Sequence, residues 1–278
     1  MQLFPGTVNN MIKDFQFKDS YTCDDLIRIV AVLRAPGGCP WDAEQTHESI
    51  RRNFIEETYE VIEAIDKADP AMLREELGDV LLQVALHSQM ETEKGTFSFD
   101  DVCDEICKKL IIRHPHVFGD VNVSSTDEVL TNWDAIKMAT KKQKSTAESM
   151  ASVPRELPAL MRAQKIQHKA AKVGFDWSDV SGALAKIREE TAEVEEALPS
   201  GSKEQMQEEI GDLFFSVVNV CRFVNVEAEE ALTGATDKFF NRFVQVEKLA
   251  KERGIDMKAA GIEELDKLWD EVKQGTLA

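Results

Sequence analysis

The chain has 278 residues, of which 43% are hydrophobic and 30% charged, and its formal net charge is −18 at pH 7. That length holds two domains of roughly 100–150 residues, each burying its own core, and the composition is globular rather than disordered. The acidic balance excludes a non-specific nucleic-acid binder, which needs a basic footprint to displace counterions. It leaves room for a small phosphorylated ligand, because metal ions and a few cations can reverse the field locally.

The start, Met1-Gln2-Leu3-Phe4-Pro5, has neither the basic residues nor the apolar run of a signal peptide. No apolar stretch approaches the ~20 residues of a membrane span; Asp79 to Met90 is too short and contains Gln83 and His87. Five cysteines without a C-x-x-C pair fit a reducing compartment, so the expected location is the cytoplasm, away from membranes. Cys103 and Cys107, one turn apart, read as ordinary helix-face thiols.

A Gly/Pro-rich loop, Pro36 to Asp42, carries Trp41 and precedes the first strongly periodic segment. From Asn53 to Ile65 the residues Phe54, Ile55, Val61, Ile62 and Ile65 recur at helical spacing, and Leu73 to Met90 repeats the pattern. Lys109 and Arg113 follow at i, i+4, then His114-Pro115-His116, which reads as a structural turn without a third metal ligand. Trp133 and Lys137 close the first half. Thr140 to Ser149 is polar and weakly patterned, which places a linker over 141–153 between domains spanning 1–140 and 154–278. The second half opens on another tryptophan loop, Gly174-Phe175-Asp176-Trp177, with two more periodic segments around Ile187–Leu198 and Ile210–Cys221. Lys238 with Arg242, and Trp269 with Lys273, repeat the spacings of the first half. Asp42 and Ser178 are the expected caps of the helices that follow the two loops. Short β-branched runs are scarce, and the fold class is all-α.

The halves share an acidic set. Glu56-Glu57-x-x-Glu60 with Glu76-x-x-Asp79 becomes Glu189-Glu190-x-x-Glu193 with Glu209-x-x-Asp212 when 133 is added to each number. Between the pairs the connectors have diverged. Residues i and i+3 share a helix face, and the short turn Pro199-Ser200-Gly201-Ser202 makes the two helices antiparallel neighbours. Glu190, Glu193, Glu209 and Asp212 are therefore expected to converge, with Asp212 drawn inward by the apolar run after it. Two carboxylates ~6 Å apart repel by roughly 2.8 kcal/mol at an effective dielectric of ~20, so protons or cations must compensate. Oxygen-only ligands select a hard ion, Mg²⁺ or else Mn²⁺; zinc lacks Cys or His partners. A di-iron bundle needs two E-x-x-H pairs, and only Glu44-x-x-His47 occurs. A lone E-E-x-x-E is ordinary surface charge; the second acidic pair and the repetition set this one apart. Without a glycine-rich phosphate loop, phosphate recognition falls to side chains, with Lys186, Lys238, Arg242 and Lys273 available. Lys186 stands four residues before Glu190, where the first half has Asn53. Trp269 can stack on a base or fill the core.

Gly38-Cys39-Pro40-Trp41-Asp42, Glu56 to Glu60, Glu76-Leu77-Gly78-Asp79 and Arg113 to Phe118 together resemble the MazG nucleoside triphosphate pyrophosphohydrolases. Val173 to Trp177, Glu209-Ile210-Gly211-Asp212 and Lys238 to Phe243 agree with them in the second half. The resemblance implies a tandem repeat of two all-α NTP pyrophosphatase domains that pair as a homodimer and build sites on four-helix bundles. It implies Mg²⁺-dependent hydrolysis of nucleoside and deoxynucleoside triphosphates to the monophosphate and pyrophosphate, by an activated water attacking the α-phosphorus, and a role in nucleotide-pool housecleaning and stress survival. Under it Glu190, Glu193, Glu209 and Asp212 match metal ligands. Lys186, Glu189, Lys238, Arg242 and Trp269 match substrate-contacting positions. The C-terminal domain is the expected catalytic one and the N-terminal domain structural or regulatory, although Glu57, Glu60, Glu76 and Asp79 keep the ligand pattern. A non-catalytic, metal-stabilised scaffold and a phosphatase releasing orthophosphate remain the alternatives.

Overall fold

The computed structural model describes residues 15–126, 128, 129, 132, 133, 136 and 145–275. The described residues contain helices and no strand, as the sequence periodicity requires. The chain divides into two compact units, Met1–Lys137 and Met138–Ala278. Lys137 and residues 141–144 of the expected linker lie outside the described residues.

The first unit contains α1 (Cys23–Arg34), α2 (Pro40–Glu44), α3 (Arg51–Asp66), α4 (Pro70–Lys94), α5 (Phe99–Arg113) and α6 (Pro115–Phe118). Helix α1 starts in a capping box in which Thr22 accepts from the Asp25 amide and the Asp25 carboxylate accepts from Thr22. Lys18 adds an ion pair at 2.5 Å to Asp25, and this bond leads the causes that hold the Asp25 carboxyl at about 2. Val30 of α1, Ile50, and Ala85, Leu86 and Met90 of α4 form the core. Between α3 and α4, Asp69 caps the second helix by accepting from the Ala71 and Met72 amides, with Pro70 at its first position. His114 ends α5, its Nδ1 2.6 Å from the Leu110 carbonyl, and Pro115 opens the short helix α6 directly after it.

The second unit contains α7 (Thr146–Ala151), α8 (Ala159–Ala171), α9 (Val180–Ala197), α10 (Lys203–Phe223), α11 (Ala228–Glu252) and α12 (Ile262–Gly275). Most of the segment read as linker is thus folded. Ser145 caps α7, Ser149 is buried and bonded to Lys169 of α8, and Val153 is buried in turn. A polar surface disguises a short helix whose one buried residue is Ser149. Glu229 accepts from the Met161 amide in the first turn of α8, and Gln164 bonds the Val226 carbonyl and the Ala228 amide, which ties α8 to the start of α11. Val246 and Ala250 of α11 pack with Leu268 and Val272 of α12 in a separate core.

Neither expected loop cap holds. Asp42 lies inside α2, because Pro40 at the first position starts that helix two residues earlier. In the second unit Asp179, not Ser178, accepts from the Ser181 amide and caps α9. Trp177 folds back over Gly182, where a Cβ would meet its ring at 2.3 Å. Among the described residues no helix is long and apolar enough to cross a membrane.

Leu268 is 2% exposed, whereas Ile262 on the same helix is 78% exposed. Leu268→Ala is expected to cost about 2–5 kcal/mol in denaturant unfolding, and Ile262→Ala no more than about 0.5 kcal/mol.

Candidate functional site

Helices α9 and α10 pack against each other through a connection that reverses the chain in a few residues. Leu198–Ser200 forms a 3-10 turn, Gly201 takes φ +65°, and Ser202 accepts from the Gln205 amide to start α10. The left-handed backbone at Gly201 suits glycine because a Cβ is disfavoured there. This turn sets Glu209 and Asp212 opposite the last turns of α9.

The acids meet in two groups of three rather than one group of four. Carboxylate oxygens of Glu190, Glu209 and Asp212 lie within 4.8 Å of one another, and those of Glu189, Glu190 and Glu193 do likewise. Glu190 belongs to both groups. It is 3% exposed, and its Oε1 lies 2.5 Å from Lys186 Nζ while its buried Oε2 has no hydrogen-bond partner. A buried carboxylate oxygen left unsatisfied is costly and marks a place where a cation or donor belongs. Lys186 also pairs with Glu189 at 2.8 Å. Its ammonium is held above the ordinary lysine range, first by Glu189 and then by Glu190. The Glu193 carboxyl is pushed above its ordinary value, first by the neighbouring Glu190 carboxylate and then by burial.

One expectation is corrected. Asp212 is exposed, and Glu190 is the buried member of the set. The apolar residues after Asp212 do not draw it inward, because Phe214, Phe215 and Val217 are themselves 57%, 46% and 41% exposed.

The other sequence-selected residues form a separate group. Lys238 is exposed on α11. The Arg242 guanidinium lies 5.9 Å from the centre of the Trp269 ring, and Phe239 is 5.2 Å from the same ring. Trp269 packs against the α11–α12 core, and Arg242 Nε is buried without a partner. Among the described residues no hydrogen bond or ion pair joins Lys238, Arg242 or Trp269 to the four acids.

The first unit repeats this plan in looser form. Glu57, Glu60 and Glu76 approach within 4.8 Å, all half-buried. Burial, then neighbouring acids, pushes the Glu57 and Glu76 carboxyls up, with Asp79 the first charge felt by Glu57. Arg113 lies 5.3 Å over Trp133, mirroring Arg242 on Trp269. Asn53 supplies no charge where Lys186 neutralises Glu190.

The description of a MazG nucleotide pyrophosphohydrolase domain matches residues 45–118 and 179–247, each match covering both acidic helices of its unit. A nucleoside triphosphate pyrophosphohydrolase/pyrophosphatase MazG of Thermotoga maritima is 45% identical over 91% of this chain and 96% of its own length. The chain belongs to the MazG family. A nucleoside triphosphate pyrophosphohydrolase of Escherichia coli K12 is 44% identical over 90% of this chain and 97% of its own. An uncharacterised protein of Bacillus subtilis, YabN, is 49% identical over 88% of this chain, which spans half of that longer protein.

The raised proton affinity of Glu193 has a definite sign. A carboxyl whose folded value lies above its unfolded 4.5 stabilises below the unfolded value, and that contribution is lost as pH rises through the folded one. In chelator, Glu193→Gln should therefore lessen the fall in denaturation midpoint on going from pH about 4.5 to about 7. An unchanged profile would contradict the raised proton affinity of Glu193 beside Glu190.

Proposed function

We propose that this chain hydrolyses nucleoside and deoxynucleoside triphosphates to the monophosphate and pyrophosphate, with the second unit as its catalytic domain and Mg²⁺, or Mn²⁺ in its place, as the ion. The observation that carries this reading is the buried Glu190 carboxylate, one oxygen on Lys186 and the other unpartnered, ringed by Glu209 and Asp212. The donor set fits a hard divalent ion, being oxygen throughout with no Cys or His among its members. Glu190, Glu193, Glu209 and Asp212 would hold it. When bound, such an ion supplies charge compensation and Lewis-acid polarisation to phosphate oxygens.

The chain's own residues take the remaining tasks. Glu193, whose carboxyl holds its proton more tightly than an ordinary glutamate, is suited to take a proton from the water that attacks the α-phosphorus. Pyrophosphate is then the leaving group, and the proton passes to solvent as Glu193 ionises again. Lys186 is already poised beside the acids and can exchange its bond to the exposed Glu189 for a phosphate oxygen. Lys238 and Arg242 offer further positive charge to the phosphates, and the Trp269 ring offers a face to the base. The relatives named as nucleoside triphosphate pyrophosphohydrolases support this substrate class.

The exposed Phe214 and Phe215 of α10 and Phe239, Phe240 and Phe243 of α11 form more apolar surface than a lone helical domain comfortably shows to water. A homodimer covering them would complete a four-helix site. The first unit, with Asn53 in place of the lysine and no fully buried acid in its set, serves a structural or regulatory purpose. A cytoplasmic enzyme of this kind would clear aberrant nucleotides from the pool and support survival under stress.

Glu190→Gln should lower turnover of dATP in Mg²⁺ by about 100-fold or more, with monophosphate and pyrophosphate as the wild-type products. The double variant Glu57→Ala/Glu60→Ala should keep most of the activity. Release of orthophosphate and diphosphate would overturn the reaction assigned, and loss of turnover in the first-unit variant would move catalysis there.

A further inference from the structure

His47 lies in the segment joining α2 to α3, and both of its ring nitrogens are engaged. Nε2 is 2.6 Å from the Glu91 carboxylate, and Nδ1 is 2.6 Å from Nδ1 of His87, both partners being on α4. The two ring planes agree within 2° and their centroids are 4.9 Å apart. That separation equals the N···N contact plus one ring radius on each side, so the rings meet end to end and do not stack face to face. Arg34 of α1 holds the same segment, donating to the Asp42 and Gln45 carbonyls at 2.6 and 3.1 Å while it pairs with Glu93 of α4. Two acids of one helix therefore fasten this segment, one through a guanidinium and one through an imidazole.

Proton counting fixes what the imidazole pair tolerates. The Glu91 carboxyl is held at about 2 by bonds from Lys94, Thr96 and His47, so it only accepts and His47 Nε2 carries a hydrogen. The line between the two Nδ1 atoms has room for one hydrogen. With the pair neutral, His87 donates it to His47. One added proton goes to the far nitrogen of His87 and leaves the line intact. A second puts hydrogens on both facing nitrogens and two positive charges at hydrogen-bond distance, and the contact must break. The charged neighbours are Glu91 and Lys94 of α4, Glu48 of the segment itself, and the Arg34–Glu93 pair; Phe54 of α3, 5.8 Å from the His87 ring, adds none.

We propose that His47 and His87 form an acid-released latch, which ties the segment after Trp41 to α4 while the pair carries at most one extra proton and lets it go when both rings are charged. Burial and the His47 charge push the His87 value below 6.5. Its neutral form therefore stabilises above the unfolded value, and that contribution is lost as pH falls through the folded one. The duplication supplies an internal control. Adding 133 to His47, His87 and Glu91 gives Val180, Val220 and Val224. The second unit instead ties its tryptophan loop through Asp176 and Arg222 at 2.5 Å. The latch belongs to the first unit alone.

Hydrogen exchange on the full-length chain, corrected for intrinsic rates, tests this. Between pH about 7.5 and about 5, protection over 43–50 should fall by about tenfold or more, while that over 172–182 holds. The variant His47→Val/His87→Val/Glu91→Val, which copies the second unit, should show no such difference. Should that variant fold poorly, a histidine NMR titration of the wild type should give a coupled two-step titration with its lower step below 6.5. Equal protection at both pH values, an equal loss in both units, or independent titration of the two rings at ordinary histidine values would each overturn the latch.

Discussion

The second unit is organised around a carboxylate that the fold has taken out of water. Glu190 is 3% exposed, and Lys186, one turn earlier, neutralises only one of its oxygens. Burying an ionised carboxylate is tolerable only with a partner, and the second oxygen has none within the chain. The surrounding acids make the deficit larger. Glu209 and Asp212 come across from α10, and Glu193, beside Glu190 on α9, has its proton affinity raised by that neighbour. A site built this way is short of positive charge, and that shortage is the ground on which a divalent ion is proposed for it.

The sequence made much of this legible because helices convert spacing into direction. E-E-x-x-E and E-x-x-D, read at three to four residues per turn and joined by a short glycine turn, led directly to the cluster on α9 and α10. The Lys186–Glu190 pair was equally readable at i, i+4. Burial was not readable, because it depends on what covers a helix face. The apolar residues after Asp212 implied an inward aspartate, yet they lie exposed beside it and the buried acid is Glu190. The helix within the expected linker was hidden for a related reason: α7 buries only Ser149, which leaves little hydrophobic signal. Cap positions shifted by a residue or two, since Pro40 and Asp179 claimed the helix starts that Asp42 and Ser178 had been expected to mark.

Comparison of the two units separates what the duplication kept from what it changed. The acidic helices and the arginine over a tryptophan persist in both. Asparagine stands in the first unit where lysine answers the buried glutamate in the second, and the loop attachment is histidine-based in the first unit. Pattern reading found the first difference because it lies inside the acidic motif. It passed over the second, because His47 and His87 are 40 residues apart and meet only in space. One unit thus concentrates negative charge around a buried carboxylate, while the other holds its loop through a pair of imidazoles.

Anomalous scattering from crystals of the full-length protein grown with Mn²⁺ addresses the centre of this picture most directly. A peak bounded by Glu190, Glu209 and Asp212, with the free Glu190 oxygen turned toward it, is the predicted result. Ordered Mn²⁺ elsewhere, with Glu190 still facing only Lys186 and its second oxygen bonded to protein or water, would contradict it.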